Sequence, residues 1–441
     1  MFGAHYNTLL VMAGAGLLGL VSGVVGAFAV LRRRALMGDA VAHAALPGIC
    51  FAFLLIGERN FWAFLAGAVA SGVAGVLCVT WLRAHTRIKD DAAIGIVLSV
   101  FFGLGIVLLR RLQSHENANV AGLESFLLGQ TAGMVMQDLL SIAYVCVGVL
   151  VVLLLLFKEF KALSFDREFA RVQGWPVLTL DILLMALLVV TTVVGLPAVG
   201  VVLMAALLII PGVSARFWTE KLPTMLALSG VFGLLTGVIG TFLSAVLPEM
   251  PAGPVIVLSG CAIFLFSMFF APRRGILSRL IEQVRLRMVT ARQNLLRSMY
   301  ELNEDNLPGS APVSLDELVE SRAWSRAQAL RLLADAQSRG DVKPDGPDAW
   351  SLTTAGLQAA ASVVRTHRLW ETFLIEHADI APDHVDRDAD QIEHVLSPDL
   401  IKELEARLRE DGRLPEGLGP PASPHEIVKG ASGRSRAEGS A

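Results

Sequence analysis

Charge is scarce in the first 272 residues of this 441-residue chain, which hold 15 of its 37 Lys and Arg and 13 of its 40 Asp and Glu. The remaining residues carry the other 22 and 27, a density ordinary for soluble domains, in which about 25% of residues are charged. This distribution excludes a single globular enzyme and a disordered chain. It indicates a polytopic membrane region followed by a polar domain. Cysteine is scarce as well. Cys50, Cys78, Cys146 and Cys261 all lie in apolar stretches, so neither a disulfide framework nor a thiolate zinc cluster is available. No G-x-x-x-x-G-K-[ST] phosphate loop occurs, so the chain lacks that means of holding a nucleotide. The opening MFGAHYNT lacks the basic region of a signal peptide, and the first apolar run is expected to be a retained span.

What is present is a series of apolar runs near 9–31, 61–82, 92–109, 133–157, 177–197, 222–247 and 253–271. Each approaches the ~20 residues that a helix needs to cross the hydrocarbon core. Residues 199–216 add a run broken by Pro211-Gly212, and 44–57 becomes long enough when extended back to Leu36. About nine spans are expected. With the N-terminus outside, the inner loops carry Arg32, Arg33, Arg34, Arg83, Arg87, Lys89, Lys158, Lys161, Arg167, Arg171, Arg216 and Lys221. The outer loops then carry only Arg59, Arg110 and Arg111. The positive-inside rule therefore places the C-terminal part in the cytoplasm. Runs such as AGAGLLGLVSGVVGA and AGAVASGVAGV are rich in small residues, which let helices approach closely in lipid.

Asp39 and His43 stand four apart and share a helical face in MGDAVAHAALPG. A carboxylate and an imidazole inside a span are costly unless paired, hydrated or bound to a cation. One oxygen and one nitrogen donor suit Zn, Mn or Fe. The other reading is a helix start near the headgroups, with Asp39 as a cap and His43 at the interface. Pro47-Gly48 just beyond is expected to kink the helix, and broken helices often line transport sites. Asp138 and Asp181 are expected at interfaces, and Met12 and Met204 in packing. A polar insert, LSFDREFARVQGWP at 163–176, reads as a helix along the membrane surface with Phe165, Phe169 and Val172 on one face, either a linker or a docking element.

Five ordered stretches carry a family likeness: LRRRALMGDAVAHAALPG, DDAAIGIVLSVFFGLGIVLL, GLESFLLGQ, SFDREFARVQG and VGVVLMAALLIIPGVSAR. Over about 1–272 the chain resembles the permease subunits of ABC importers for zinc, manganese or iron, the ABC-3 metal permeases. That resemblance implies a dimer of permeases, two cytoplasmic ATPase subunits and an extracytoplasmic metal-binding protein. It implies that Asp39 and His43 line the metal path, and that Phe165, Asp166, Ala170 and Gly174 mark the helix that couples to the ATPase.

The polar part begins with a basic amphipathic connector at 273–291. Ser314-Leu-Asp-Glu317 and Ser325-Arg-Ala-Gln328 are capping-box signatures opening helices near 315–321 and 326–339. DVKPDGPDAWSLT follows with an Asp345-Gly346 turn, a winged-helix pattern, and helices near 354–377 and 387–410 complete a domain over 292–411. Residues 412–441, rich in Pro, Gly and Ser, are expected to be disordered. RQNLLRSMYELNED, SLTTAGLQAA, HRLWETFL and ADQIEHVLSPDL resemble metal-responsive repressors of the diphtheria-toxin-repressor type. The resemblance implies one metal site at Asp390, Glu393 and His394 and another at His367 and Glu371, joined by His384. Where a first helix of that family supplies a Met or an acid, this chain has Asn294, with Arg297 a turn later. The alternative reading has these charged groups satisfy one another. Arg322, Arg326, Arg331 and Arg339 offer contacts to phosphates, but the part nets −5, unlike the basic footprint of nucleic-acid domains.

The expected fold is thus an all-α polytopic membrane bundle of about eight to nine transmembrane helices, followed by a cytoplasmic winged-helix plus helical α(+β) domain. The expected function is the membrane permease of an ATP-driven importer of Mn, Zn or Fe in the bacterial inner membrane. No cofactor is expected to be permanently bound; the metal is substrate and a regulatory ligand of the C-terminal domain. DNA is not an expected partner. The alternatives are a membrane-tethered, metal-dependent DNA-binding regulator and an importer of a metal chelate.

Overall fold

Backbone amides in lipid have no water to bond, so apolar runs of this length fold as helices that satisfy themselves. The computed structural model describes residues 2–34, 36–57, 60–113, 133–247, 249–307, 310–322, 324–377 and 398–410. It divides into two units, Met1–Leu280 and Ile281–Ala441.

The first unit is helical: α1 (Phe2–Leu31), α2 (Met37–Ile56), α3 (Phe61–His85), α4 (Asp90–Gln113), α5 (Met136–Leu155), α6 (Phe157–Phe165), α7 (Arg167–Val172), α8 (Val177–Val199), α9 (Val201–Trp218), α10 (Leu222–Val246) and α11 (Ala252–Phe270). Among the described residues, eight helices are long and apolar enough to cross a membrane, and α9 is a shorter apolar helix. This agrees with the eight to nine spans expected. Small residues set the packing. A Cβ at Gly19 of α1 would overlap the carbonyl oxygen of Gly233 on α10, and Gly48 of α2 meets Gly67 of α3 in the same way. Hydroxyls fasten these seams: Ser229 Oγ donates to Gly23 O at 2.5 Å and Ser71 Oγ to Ala44 O at 2.6 Å. Leu55, Tyr144, Leu154 and Leu258 are exposed, as suits a bundle whose solvent is lipid. Met204 is fully buried and fills the space against Gly195.

The second unit begins within α12 (Ile276–Leu302), whose residues Leu295–Tyr300 are buried. After a single 3-10 turn follow β1 (Val313–Ser314), α13 (Leu315–Arg322), α14 (Arg326–Ser338), β2 (Val342–Pro344), β3 (Ala349–Leu352), α15 (Thr354–His377) and α16 (Pro398–Glu410). Both capping boxes form: Glu317 N donates to Ser314 Oγ at 3.3 Å, and Gln328 N donates to Ser325 Oγ at 3.3 Å. The sheet has the order β1-β3-β2, antiparallel throughout, with Val313 opposite Trp350 and Val342 opposite Leu352. Asp345 N donates to Ala349 O at 2.8 Å to close the hairpin, and Gly346 supplies its positive φ of 127°. Helices α12, α13, α14 and α15 and this wing enclose a core of Leu295, Met299, Leu318, Leu333, Val342 and Val364. The helix expected over 387–410 is described from Pro398 onward; its earlier part and the segment 412–441 lie outside the described residues.

Candidate functional site

Asp39 lies in the first turn of α2, where free backbone N–H groups favour a negative charge. Leu36, not Asp39, holds the N-cap position, so the capping role open to Asp39 from sequence is not the one it plays. One turn on, His43 Nε2 is 3.6 Å from Asp39 Oδ1. That is too long for a hydrogen bond. It is short enough for both donors to reach one ion, since metal–ligand distances are about 2.0–2.2 Å. The His43 ring stands edge-on to Phe102 of α4, with centroids 4.8 Å apart. Its Nδ1 is buried with no hydrogen-bond partner among the described residues. The Asp39 side chain is 40% exposed and that of His43 25%, so both reach open space. The helix runs on through Pro47. The apolar groove between α2, α3 and α4, lined by Pro47, Phe51, Ser71 and Leu104, lies farther along α2 and includes neither residue. No cluster of three or more potential ligands occurs among the described residues; there the pair of Asp39 and His43 stands as two donors.

The polar insert forms two helices rather than one. Asp166 ends α6 and caps α7 by accepting Phe169 N at 2.8 Å. Ala170 is buried, and Gly174 takes a φ of 83° that suits glycine. Phe165, Phe169 and Val172 are all exposed, leaving an apolar knob at the end of the bundle.

Sequence reasoning missed what lies behind this knob. Asp181, expected at a membrane interface, lies near the start of α8, 3% exposed and held by three arginines. Arg32 lies at 2.5 Å and Arg34 at 3.0 Å, both from the link between α1 and α2, and Arg167 of α7 lies at 3.4 Å. The carboxylate therefore ties the knob to the segment that leads into Asp39. The only sequence signal was the Arg32-Arg33-Arg34 run, which does not disclose a partner 147 positions away.

In the second unit, His367 and Glu371 of α15 meet, Nε2 to Oε1, at 3.1 Å. Arg297 of α12 joins them: its Nη1 is 3.0 Å from His367 Nδ1 and its Nε donates to Glu301 at 2.6 Å. His384, Asp390, Glu393 and His394 lie outside the described residues. Of the four arginines offered to phosphates, Arg326 is tied to Asp316 and Asp348 and Arg339 to Asp335. That lowers the charge available to a nucleic acid.

Comparison with known proteins follows the same division. Residues 353–421 match the iron dependent repressor, metal binding and dimerisation domain. The manganese transport system membrane protein MntC of Bacillus subtilis is 39% identical over 413 residues, 93% of this chain and 94% of its own length, so the similarity runs through both units. The zinc transport system membrane protein TroC of Treponema pallidum is 45% identical over 286 residues, 65% of this chain and 96% of its own length. Among solved structures, PsaBC from Streptococcus pneumoniae in complex with Fab has 33% identity and a TM-score of 0.55, covering 62% of this chain and 94% of that one. Residues 4–271 match the ABC 3 transport family, and with this match to well over half of its length the chain belongs to that family of membrane permeases.

Proposed function

We propose that this chain is the membrane permease of an ATP-driven importer of a divalent transition metal, with manganese and zinc, the ions named for MntC and TroC, ahead of iron. The observation that carries the reading is the Asp39–His43 pair: two donors 3.6 Å apart, with the remaining imidazole nitrogen unpartnered among the described residues, inside an otherwise apolar helix. Two ligands from each of two copies give a site of about four. It binds weakly enough to release its ion, as a transport path requires. A bare ion fits a pair of donors better than a bulky chelate does.

The metal is the substrate, delivered by an extracytoplasmic binding protein. ATP is hydrolysed on a separate ATPase chain that docks on Phe165, Phe169 and Val172 at the cytoplasmic face. Motion of α7 reaches α2 through Arg167, Asp181 and Arg34, and the two permeases rock to open the path on alternate sides. The N-terminus lies outside and the second unit in the cytoplasm, as the arginine-rich links require. There the unit is suited to report the metal supply to the transporter through Asp390, Glu393 and His394; the ion-paired Arg326 and Arg339 argue against a DNA-binding role.

Uptake of competing radiolabelled manganese, zinc and iron into vesicles holding the permease with its ATPase tests this reading. Asp39→Ala and His43→Ala are each expected to abolish uptake while membrane insertion persists. Uptake at the unmodified level by both variants refutes the path.

A further inference from the structure

Arg297 stands one turn beyond Asn294, the position where the repressor-type resemblance calls for a metal ligand, and its surroundings decide whether an ion fits. A guanidinium carries only donors. The His367 Nδ1 that faces Arg297 Nη1 at 3.0 Å must therefore be the acceptor. The ring proton then sits on Nε2, which stands 3.1 Å from Glu371 Oε1. The single imidazole lone pair therefore points at a fixed positive charge. The side chains of Arg297, His367 and Glu371 are 2%, 1% and 0% exposed, so water does not screen that charge. Glu301, which accepts from Arg297 Nε at 2.6 Å, anchors the guanidinium from its own helix. Asn294, one turn back, contributes only a neutral buried amide oxygen. A divalent ion at His367 needs the lone pair that Arg297 holds, next to a group that does not deprotonate. These residues do not fit a metal there.

We propose that Arg297 is a built-in cation that takes the place of the metal between α12 and α15, so that the His367–Glu371 site works without metal. The two helices are then cross-linked whatever the metal supply. The inference concerns this site alone and stands whether or not Asp39 and His43 form the transport path.

The test uses the full chain in lipid nanodiscs, dialysed against manganese(II) or zinc(II), with bound metal counted by mass spectrometry. His367→Ala and Glu371→Gln bind as many ions per chain as the unmodified protein. Arg297→Glu gains about one ion, and the gain disappears when His367→Ala is added. Amide exchange at residues 295–300 is unchanged by a chelator. Loss of an ion in His367→Ala or Glu371→Gln overturns the proposal, as does chelator-dependent exchange. So does a monodisperse Arg297→Glu protein that gains nothing. Should Arg297→Glu fail to fold, the two α15 variants and the exchange measurement still decide.

Discussion

Asp181 and Arg34, 147 positions apart, share a charge-assisted hydrogen bond of 3.0 Å in a buried setting at one end of the bundle. The pair draws α8 against the link that starts α2, and Arg167 adds the end of α7 to the same carboxylate. A buried carboxylate facing three guanidiniums cannot be removed cheaply, because the arginines are left without their counter-charge.

Asp181→Ala is accordingly expected to cost about 3–5 kcal/mol, the range for breaking a buried ion pair. The detergent-solubilised permease should melt at a lower temperature, and uptake should fall even though Asp39 and His43 are intact. Arg167→Ala, which removes only the most distant and most exposed of the three partners, should melt nearly as the unmodified protein does. An Asp181→Ala protein with unchanged melting and uptake would remove the clamp.

Gly19 and Gly233 bring α1 and α10 into backbone contact. Gly19→Leu must push the helices apart, and the expected outcome is little or no folded protein recovered from the membrane. Gly57, at the end of α2, has a φ of 71° with open space around it. Gly57→Ala should therefore cost only the left-handed backbone term, about 1–2 kcal/mol, and leave a folded permease. Yield and size-exclusion profile separate the two cases.

Phe169 is 55% exposed on α7, beside Phe165 and Val172. Phe169→Asp changes nothing in the core, so the permease should insert and melt normally. Co-purification of the ATPase should drop at least tenfold, as loss of a central aromatic anchor implies. Full recovery of the ATPase would show that it docks elsewhere.

Burial pushes the Tyr300 hydroxyl above its usual ionisation range, with Glu304 adding to the shift. A group whose folded-state pKa is raised keeps its full contribution below the unfolded value, about 10. That contribution is lost as pH rises past this value toward the folded pKa. The second unit should hold its stability to about pH 10 and weaken above it. Tyr300→Phe should flatten that alkaline limb. Phenolate absorbance, compared between the two proteins, reads the ionisation directly.

Sequence by itself determined the helical bundle, because an unbroken apolar run in lipid has one way to satisfy its backbone. It also determined the change from apolar to charged sequence near residue 272, the two capping boxes and the wing, each set by short-range chemistry that a reader of residues can follow. The pairing of Asp39 with His43 was legible for the same reason, since four positions on a helix is one turn. Only the tertiary structure decided what Asp181 and Arg297 are for. Their partners lie far off in the chain and on other helices: Arg34 for the one, His367 for the other. A charged residue's neighbours across a packed interface leave no trace in its own local sequence, and those neighbours decide whether a site holds an ion or already contains one.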